Sequence, residues 1–311
     1  MSEHPLHWDT RGLWEQLEPL LPGLSVEVLE RTASTNTAIL ERALVARPQE
    51  ERDHSPALVH RSVESAAFGR RAADVQPCLL VAEQQTGGRG RQGRAWRSAP
   101  GASLTFSVAL PLRVADWSGL SLAVGVALAE ALDPAGGDAE DDAAACRIGL
   151  KWPNDLWLMD GPGTGRKLGG ILIETVVAGT RRLAVVGIGL NVTPMEVGDA
   201  STGFACLQEL NPGASAPAVL RQVALPLVLA LRQFERDGFA AFIERFGARD
   251  LLRGHPVRTT QPDVPEGMAQ GVSAQGALLV QTASGLKPVS SGEVSVRLNL
   301  PHSAAPARPP C

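Results

Sequence analysis

Apolar and polar positions alternate in short runs along most of the chain, and the runs predict a fold mixing helices and strands. Residues 12–24 have the spacing of a short amphipathic helix, and Ser25–Leu29 reads as a strand. Thr37–Ala46 places Ile39, Leu40, Ala43 and Leu44 at helical spacing, with Ser34 or Thr35 as a natural N-cap. Cys78–Ala82 and Ser103–Leu110 are strands, and Ser118–Leu132 is a helix. Ile148–Trp152 and Leu156–Met159 form a hairpin around Pro153-Asn154. After a turn over Gly161–Gly165, the apolar strands Gly169–Val177 and Arg182–Leu190 are neighbours in a central sheet. Helical spacing returns over 216–250 and is broken near Pro226.

From Gly254 the texture changes to short β-prone runs with Gly turns, such as Gly271–Val280. These predict a small β-barrel over 254–298, following a larger domain over 1–253. Three stretches lack periodicity. Residues 47–76 are rich in Arg, His, Glu, Ser and Ala and read as a surface insertion. Asp133–Ala145 is a small, acidic, Gly-rich loop, and 299–311 is a disordered Pro/Ala-rich tail.

The length of 311 residues accommodates one large domain and a small one. The net charge of −4 argues against bulk nucleic-acid binding. Four scattered cysteines form no CxxC pair, which argues against a zinc site and suits a reducing cytoplasm. No signal peptide is visible, and the longest apolar stretch, Gly119–Leu132, is too short to span a bilayer. The dispersed histidines argue against a His-based metal or nucleophile site. Of 29 Lys+Arg, three are lysines: Lys151, Lys167 and Lys287. Where Arg is this strongly favoured, a remaining lysine is a candidate for a site that needs a compact ammonium.

The most informative stretch is Gln84-Gln-Thr-Gly-Gly-Arg-Gly-Arg-Gln-Gly-Arg-Ala-Trp96. Its glycines allow close approach to a ligand, and its arginines match carboxylates and phosphates. The spacing is neither a Walker loop nor a Rossmann fingerprint. As a bare pattern it is a mobile loop closing over a small anion, or a solvated basic loop.

Four further segments join it: Ser34-Thr35-Asn36, Lys151-Trp-Pro-Asn-Asp155, Gly165-Arg-Lys-Leu-Gly-Gly-Ile-Leu-Ile-Glu174 and Gly187-Ile-Gly-Leu-Asn-Val192. In this order they closely resemble biotin protein ligases, and Gly271–Val280 with Ser291–Arg297 resembles that family's C-terminal barrel. The resemblance covers roughly residues 25–298. It implies an α+β fold: a central mixed β-sheet flanked by helices, like class II synthetases, plus a small SH3-like barrel.

The resemblance implies a two-step reaction. The biotin carboxylate attacks the α-phosphate of ATP, giving biotinyl-5′-AMP and pyrophosphate. The ε-amine of a lysine on the biotin carboxyl carrier protein of acetyl-CoA carboxylase then displaces AMP. Two anions must be brought together, which needs fixed positive charge, and the mixed anhydride must be shielded from water.

By matching positions, Ser34, Thr35, Asn36, Gln85 and Gly187 belong to the biotin site, with Thr35 and Gln85 on the ureido ring. Arg89, Gly90 and Arg91 wrap the biotin tail and carboxylate. Lys151 bridges carboxylate and α-phosphate and, with Arg91, is assigned to catalysis. Arg94 and Lys167 reach phosphate, and Trp96 stacks on adenine or is a core Trp. Asn154 reads adenine, while Asn191 and Arg297 support the nucleotide. Asp155 orients Lys151, helps hold Mg²⁺, or caps a turn. Gly169, Gly170, Gly187 and Gly189 allow close approach of ligand or tight strand packing.

Bifunctional members of that family carry a DNA-binding domain before the Ser-Thr-Asn element. Here that element begins at residue 34, so the expectation is a ligase without repressor function and without a DNA or membrane partner. By the same family resemblance, the stretch between Asn36 and Gln85 is about thirty residues longer than in compact members, where connections are usually short. Two rival readings are a lipoate or octanoate protein ligase and a non-catalytic nucleic-acid-binding module. Oligomeric state stays open.

Overall fold

The computed structural model describes residues 6–45, 64–68, 76–134, 147–161, 163–178, 181–195, 203–292 and 295–298. Most of the 47–76 insertion, most of the 133–145 loop and the 299–311 tail lie outside the described residues.

Eight strands form one sheet: β1 (Ser25–Thr32), β2 (Glu64–Phe68), β3 (Cys78–Gln85), β4 (Ser103–Pro111), β5 (Ile148–Lys151), β6 (Asp155–Gly161), β7 (Thr164–Ala178) and β8 (Arg181–Asn191). Their order is β2-β1-β3-β4-β8-β7-β6-β5. β1 and β3 run parallel and the other neighbours antiparallel, so the sheet is mixed as expected. β2 lies inside the stretch that reads as a surface insertion and forms an edge of this sheet.

The helices are α1 (Thr10–Leu17), α2 (Thr35–Val45), α3 (Leu120–Leu132), α4 (Ala216–Asp237) and α5 (Ile243–Gly247). Two differ from the sequence reading. α1 stops at Leu17 instead of continuing to residue 24, because Pro19 and Pro22 carry no N–H and Gly23 turns the chain with φ 80°. α4 runs through Pro226 unbroken. Its buried stripe of Val219, Leu220, Val223, Leu227, Leu231 and Phe234 outweighs the one lost backbone hydrogen bond.

Strand alternation separates the sheet's two faces. On β4, Leu104, Phe106, Val108 and Leu110 join the large core under α1, α3 and α4. Between them, Ser103, Thr105 and Ser107 point the other way and are also buried. β8 alternates likewise: Val186, Ile188 and Leu190 enter the large core, while Gly187, Gly189 and Asn191 occupy the opposite face. Near α2 that opposite face is closed by a smaller core of Leu29, Ile39, Leu80 and Val185. Beyond α2 it is polar.

Residues 256–298 form a five-stranded antiparallel sheet: β9 (Pro256–Thr259), β10 (Glu266–Val272), β11 (Leu278–Thr282), β12 (Gly285–Val289) and β13 (Val296–Leu298). The order is β12-β11-β10-β9-β13, and the edge strands are not paired with each other among the described residues. It docks closely on the larger sheet. The buried Trp152 indole donates to Gly276 O at 3.0 Å, and a Cβ at Gly276 would lie 2.7 Å from Gly119 Cα. Among the described residues no helix is long and apolar enough to cross a membrane.

Candidate active site

The polar face of the large sheet floors a cavity of about 980 Å³. All the residues singled out from the sequence for biotin, ATP or metal line it: Ser34, Thr35, Asn36, Gln85, Arg89, Gly90, Arg91, Arg94, Trp96, Lys151, Asn154, Asp155, Lys167, Gly187, Asn191 and Arg297. They come from α2, five strands of the large sheet, the loop after β3 and the C-terminal sheet, so the fold brings distant segments together.

One end is a hydrogen-bond network of amides and hydroxyls backed by the Glu174 carboxylate. Ser34 caps α2, its Oγ accepting from Thr37 N at 3.4 Å, which settles the choice of cap. Thr35 N donates to Gln85 Oε1 at 2.7 Å. Ser107 Oγ lies 2.7 Å from both Thr35 Oγ1 and Asn36 Oδ1. Asn36 Nδ2 donates to Leu172 O at 3.1 Å and to Glu174 Oε2 at 2.8 Å. Gly187 makes room for this, since a Cβ there would lie 2.4 Å from Asn36 Oδ1. The space over Gly187 is therefore taken by a protein side chain.

The other end is cationic. The lining includes Arg89, Arg91, Arg94, Arg97, Lys151, Arg166, Lys167 and Arg297, with Asp155 as the one carboxylate among the lining residues. The chain as a whole is acidic, so this positive charge is concentrated at the cavity. Asp155 pairs with Lys167 Nζ at 2.8 Å and sits opposite Lys151 on the β5–β6 hairpin. Burial pushes the Lys151 pKa down; Asp155 opposes that shift, and Lys167, Arg297 and Arg94 add to it.

The loop after β3 crosses the cavity as a strap. Gly90 N donates to Arg94 O at 2.7 Å and Trp96 N to Gly88 O at 2.8 Å, folding the strap on itself. Gln92 (φ 57°) and Gly93 (φ 70°) turn its tip. Arg89 reaches back to Thr37 Oγ1 at 3.0 Å and Glu174 Oε1 at 3.3 Å. Arg91 donates to Ser291 O and Gly292 O, and Arg94 to Ser295 Oγ at 2.9 Å. The arginines thus tie the strap to the C-terminal sheet. Burial lowers the pKa of Arg91, Asp155 opposes the shift and Arg94 adds to it. Trp96 lies against Gly189, where a Cβ would be 2.4 Å from Trp96 Cε2, and its buried Nε1 has no hydrogen-bond partner among the described residues.

Two asparagines have structural work beside any ligand contact. Asn154 Nδ2 donates to Ile171 O at 2.8 Å while Ile171 N donates to Asn154 O at 2.9 Å. Asn191 Nδ2 donates to Lys167 O at 3.3 Å and Ala205 O at 2.9 Å.

Sequence reasoning passed over Ser107, Glu174 and Trp157. The alternation of Ser103, Thr105 and Ser107 with apolar residues is the signal for the first. A lone carboxylate within an apolar strand is the signal for Glu174. Trp157 shares the period-2 face of Asp155.

Such a site fits an elongated ligand with a neutral, hydrogen-bonding head and an anionic body, held under an arginine strap. Its arginines and lysines can pair with a carboxylate and a phosphate at the same time. Comparison with known proteins narrows the class. The family model described as "Biotin/lipoate A/B protein ligase family" matches residues 71–191, and that described as "Biotin protein ligase C terminal domain" matches residues 254–297. A biotin–[acetyl-CoA-carboxylase] ligase of Mycobacterium tuberculosis is 31% identical over 298 residues, covering 92% of this chain and 94% of that one. The bifunctional ligase/repressor BirA of Escherichia coli is 34% identical over 223 residues, 70% of this chain but 65% of that relative's length. A biotin protein ligase from Aquifex aeolicus in complex with biotin and ATP superposes with a TM-score of 0.63 at 25% identity, covering 88% of this chain and 98% of that one. The chain belongs to the biotin/lipoate A/B protein ligase family.

Proposed function

We propose that this chain is an ATP-dependent biotin protein ligase, acting on a lysine of a biotin carboxyl carrier protein in the cytoplasm. The observation that carries the reading is the cavity's polarity, an amide-and-hydroxyl end joined to a cluster of eight Arg and Lys with one Asp.

In this reading the ureido ring of biotin lies at Thr35 and Gln85, with Ser34 and Asn36 beside it and Gly187 making room for Asn36, so that donors and acceptors are fixed by mutual hydrogen bonds. The carboxylate lies under Arg89, Gly90 and Arg91. Its oxygen attacks the α-phosphorus of ATP, the bond to the β-phosphate oxygen breaks, and pyrophosphate leaves. The Lys151 ammonium sits between the two anions and offsets their repulsion. Arg94 and Lys167 bind phosphate, and Trp96, Asn154, Asn191 and Arg297 hold the nucleoside. The carrier lysine, as the neutral amine, then attacks the acyl carbon, the bond to AMP breaks, and the amine's proton is lost as the amide forms.

Among the described residues no cluster of three or more His, Cys, Asp or Glu exists, and Asp155 is already paired with Lys167. The donor set does not build a resident metal site. Mg²⁺ carried by the triphosphate would supply neutralisation of phosphate charge there, being an ion commonly held by substrate phosphates and few protein carboxylates, with Asp155 as the lining carboxylate.

The reading is tested by supplying purified carrier domain, ATP and Mg²⁺ with either biotin or lipoate, and measuring acylated carrier by mass spectrometry. Biotin should be transferred and lipoate should not. Transfer of lipoate alone would reassign the substrate.

A further inference from the structure

Trp157 lines the cavity beside Lys151, and the reaction described above gives it no part. The register explains its surroundings. On β6, Asp155 and Trp157 share one face. Lys151 is directly opposite Asp155 on β5, so it is a diagonal neighbour of Trp157; Lys167 on β7 is directly opposite Trp157. The two lysines behave differently. Lys167 Nζ is ion-paired with Asp155 at 2.8 Å. Lys151 Nζ has no hydrogen bond or ion pair among the described residues and sits 4.6 Å from the centroid of the Trp157 ring. Trp157 is buried, 7% exposed, so the face presented to the ammonium is fixed in place. Its partner on β5 is Gly149, where the space a side chain would take is filled by Met159 Sδ, so the indole is packed in from that side.

We propose that the indole face of Trp157 is the seat of the Lys151 ammonium: it holds this cation charged and aimed into the cavity before ligands arrive, making Trp157 a positioning residue for the ligation. A cation within about 6 Å of a Trp ring centroid is attracted by the ring's negative face, and more strongly where water is excluded. The seat opposes several forces that discharge the amine. Burial favours the neutral form, as do Lys167 on β7, Arg94 on the strap and Arg297 on β13, while Asp155 on β6 favours the charged form. Asp155 divides its field between two lysines, so among the described residues the uncharged ring is the nearby group that favours the Lys151 cation without first being neutralised by Lys167.

The inference rests on the reading of Lys151 as the cation between carboxylate and α-phosphate, but its test has a readout independent of that reading. In the unliganded protein, the rate of Lys151 acetylation by acetic anhydride is followed from pH 6 to 11, peptide by peptide, by mass spectrometry. Removing the ring in Trp157→Leu should lower the Lys151 midpoint by about one pH unit, leaving about tenfold more neutral amine below it. Trp157→Phe, with a weaker ring, should lower it by a smaller amount. The same shifts should appear in the basic limb of the pH profile for biotinyl-AMP formation. A Lys151 midpoint that stays or rises in the folded variants overturns the proposal. If Trp157→Leu does not fold, Trp157→Phe decides by the same criterion. Failure of the wild-type protein to make biotinyl-AMP would strike the functional reading and leave the acetylation result standing.

Discussion

The two faces of the large sheet are made from the same strands and put to opposite uses. Under α1, α3 and α4, Leu104, Phe106, Val108, Val186 and Ile188 fill a dry core. One residue along each strand, Ser103, Thr105, Ser107, Gly187, Gly189 and Asn191 line the other face with hydroxyls, bare backbone and an amide. The difference teaches that the strands are specified twice. Half of their positions hold the fold together by burial, and the other half are small or polar so that α2, the strap and a ligand can approach.

The comparison can be broken most forcibly from the dry side. Phe106→Ala should destabilise the protein by about 3–5 kcal/mol in chemical denaturation, through lost burial and a residual cavity. Adenylation by the fraction that remains folded should be near normal. Lys151→Ala inverts this pattern. Denaturation should change little, while single-turnover biotinyl-AMP formation should fall by at least about a hundredfold, as expected for one removed charge-stabilising group.

Asp250 sharpens the comparison at the seam between the core and the C-terminal sheet. Burial raises its pKa to about 6, only partly opposed by the N–H groups of Leu252 and Arg253 and the nearby Arg253 and His255, and its Oδ2 has no hydrogen-bond partner among the described residues. A carboxyl with a raised folded-state pKa favours folding below its unfolded value, and that benefit is lost as pH rises through about 6. Asp250→Asn should therefore raise stability at pH 8 by up to about 3 kcal/mol and have little effect at pH 4, read from denaturation midpoints at both pH values. The smallest effect is expected for Ser107→Ala. It strands Asn36 Oδ1 and removes a partner of Thr35, so the KM for biotin should rise by about 1–3 kcal/mol in equivalent binding while kcat changes less.

Much of this arrangement was legible in the sequence, for identifiable reasons. The strap carried its glycines and arginines in an uncommon spacing, and Lys151 and Lys167 stood out in an Arg-rich chain. These residues do line one cavity. Strands such as Gly169–Val177 and Arg182–Leu190 were visible because their apolar runs are long. Less legible were residues whose meaning depends on a partner far along the chain. Glu174 is a lone acid until α2 delivers Asn36 and the strap delivers Arg89. Ser107 looks like a strand filler until Thr35 and Asn36 meet it. Pro226 was misleading, because one lost hydrogen bond is a local signal and the ten buried residues of α4 are a tertiary one. The ties from Arg91 and Arg94 to the C-terminal sheet join residues about two hundred positions apart, and no local pattern encodes them.

The central claim is that the polar face gathers a carboxylate and an α-phosphate on one cationic cluster and keeps the product beneath the strap. It is tested most directly by pyrophosphate release from biotin and ATP·Mg²⁺ with no carrier present. The account predicts a burst of about one equivalent per protein chain followed by a stall, with biotinyl-AMP retained on the protein, as lid closure would impose. No burst, or steady release with no retained adenylate, would contradict it.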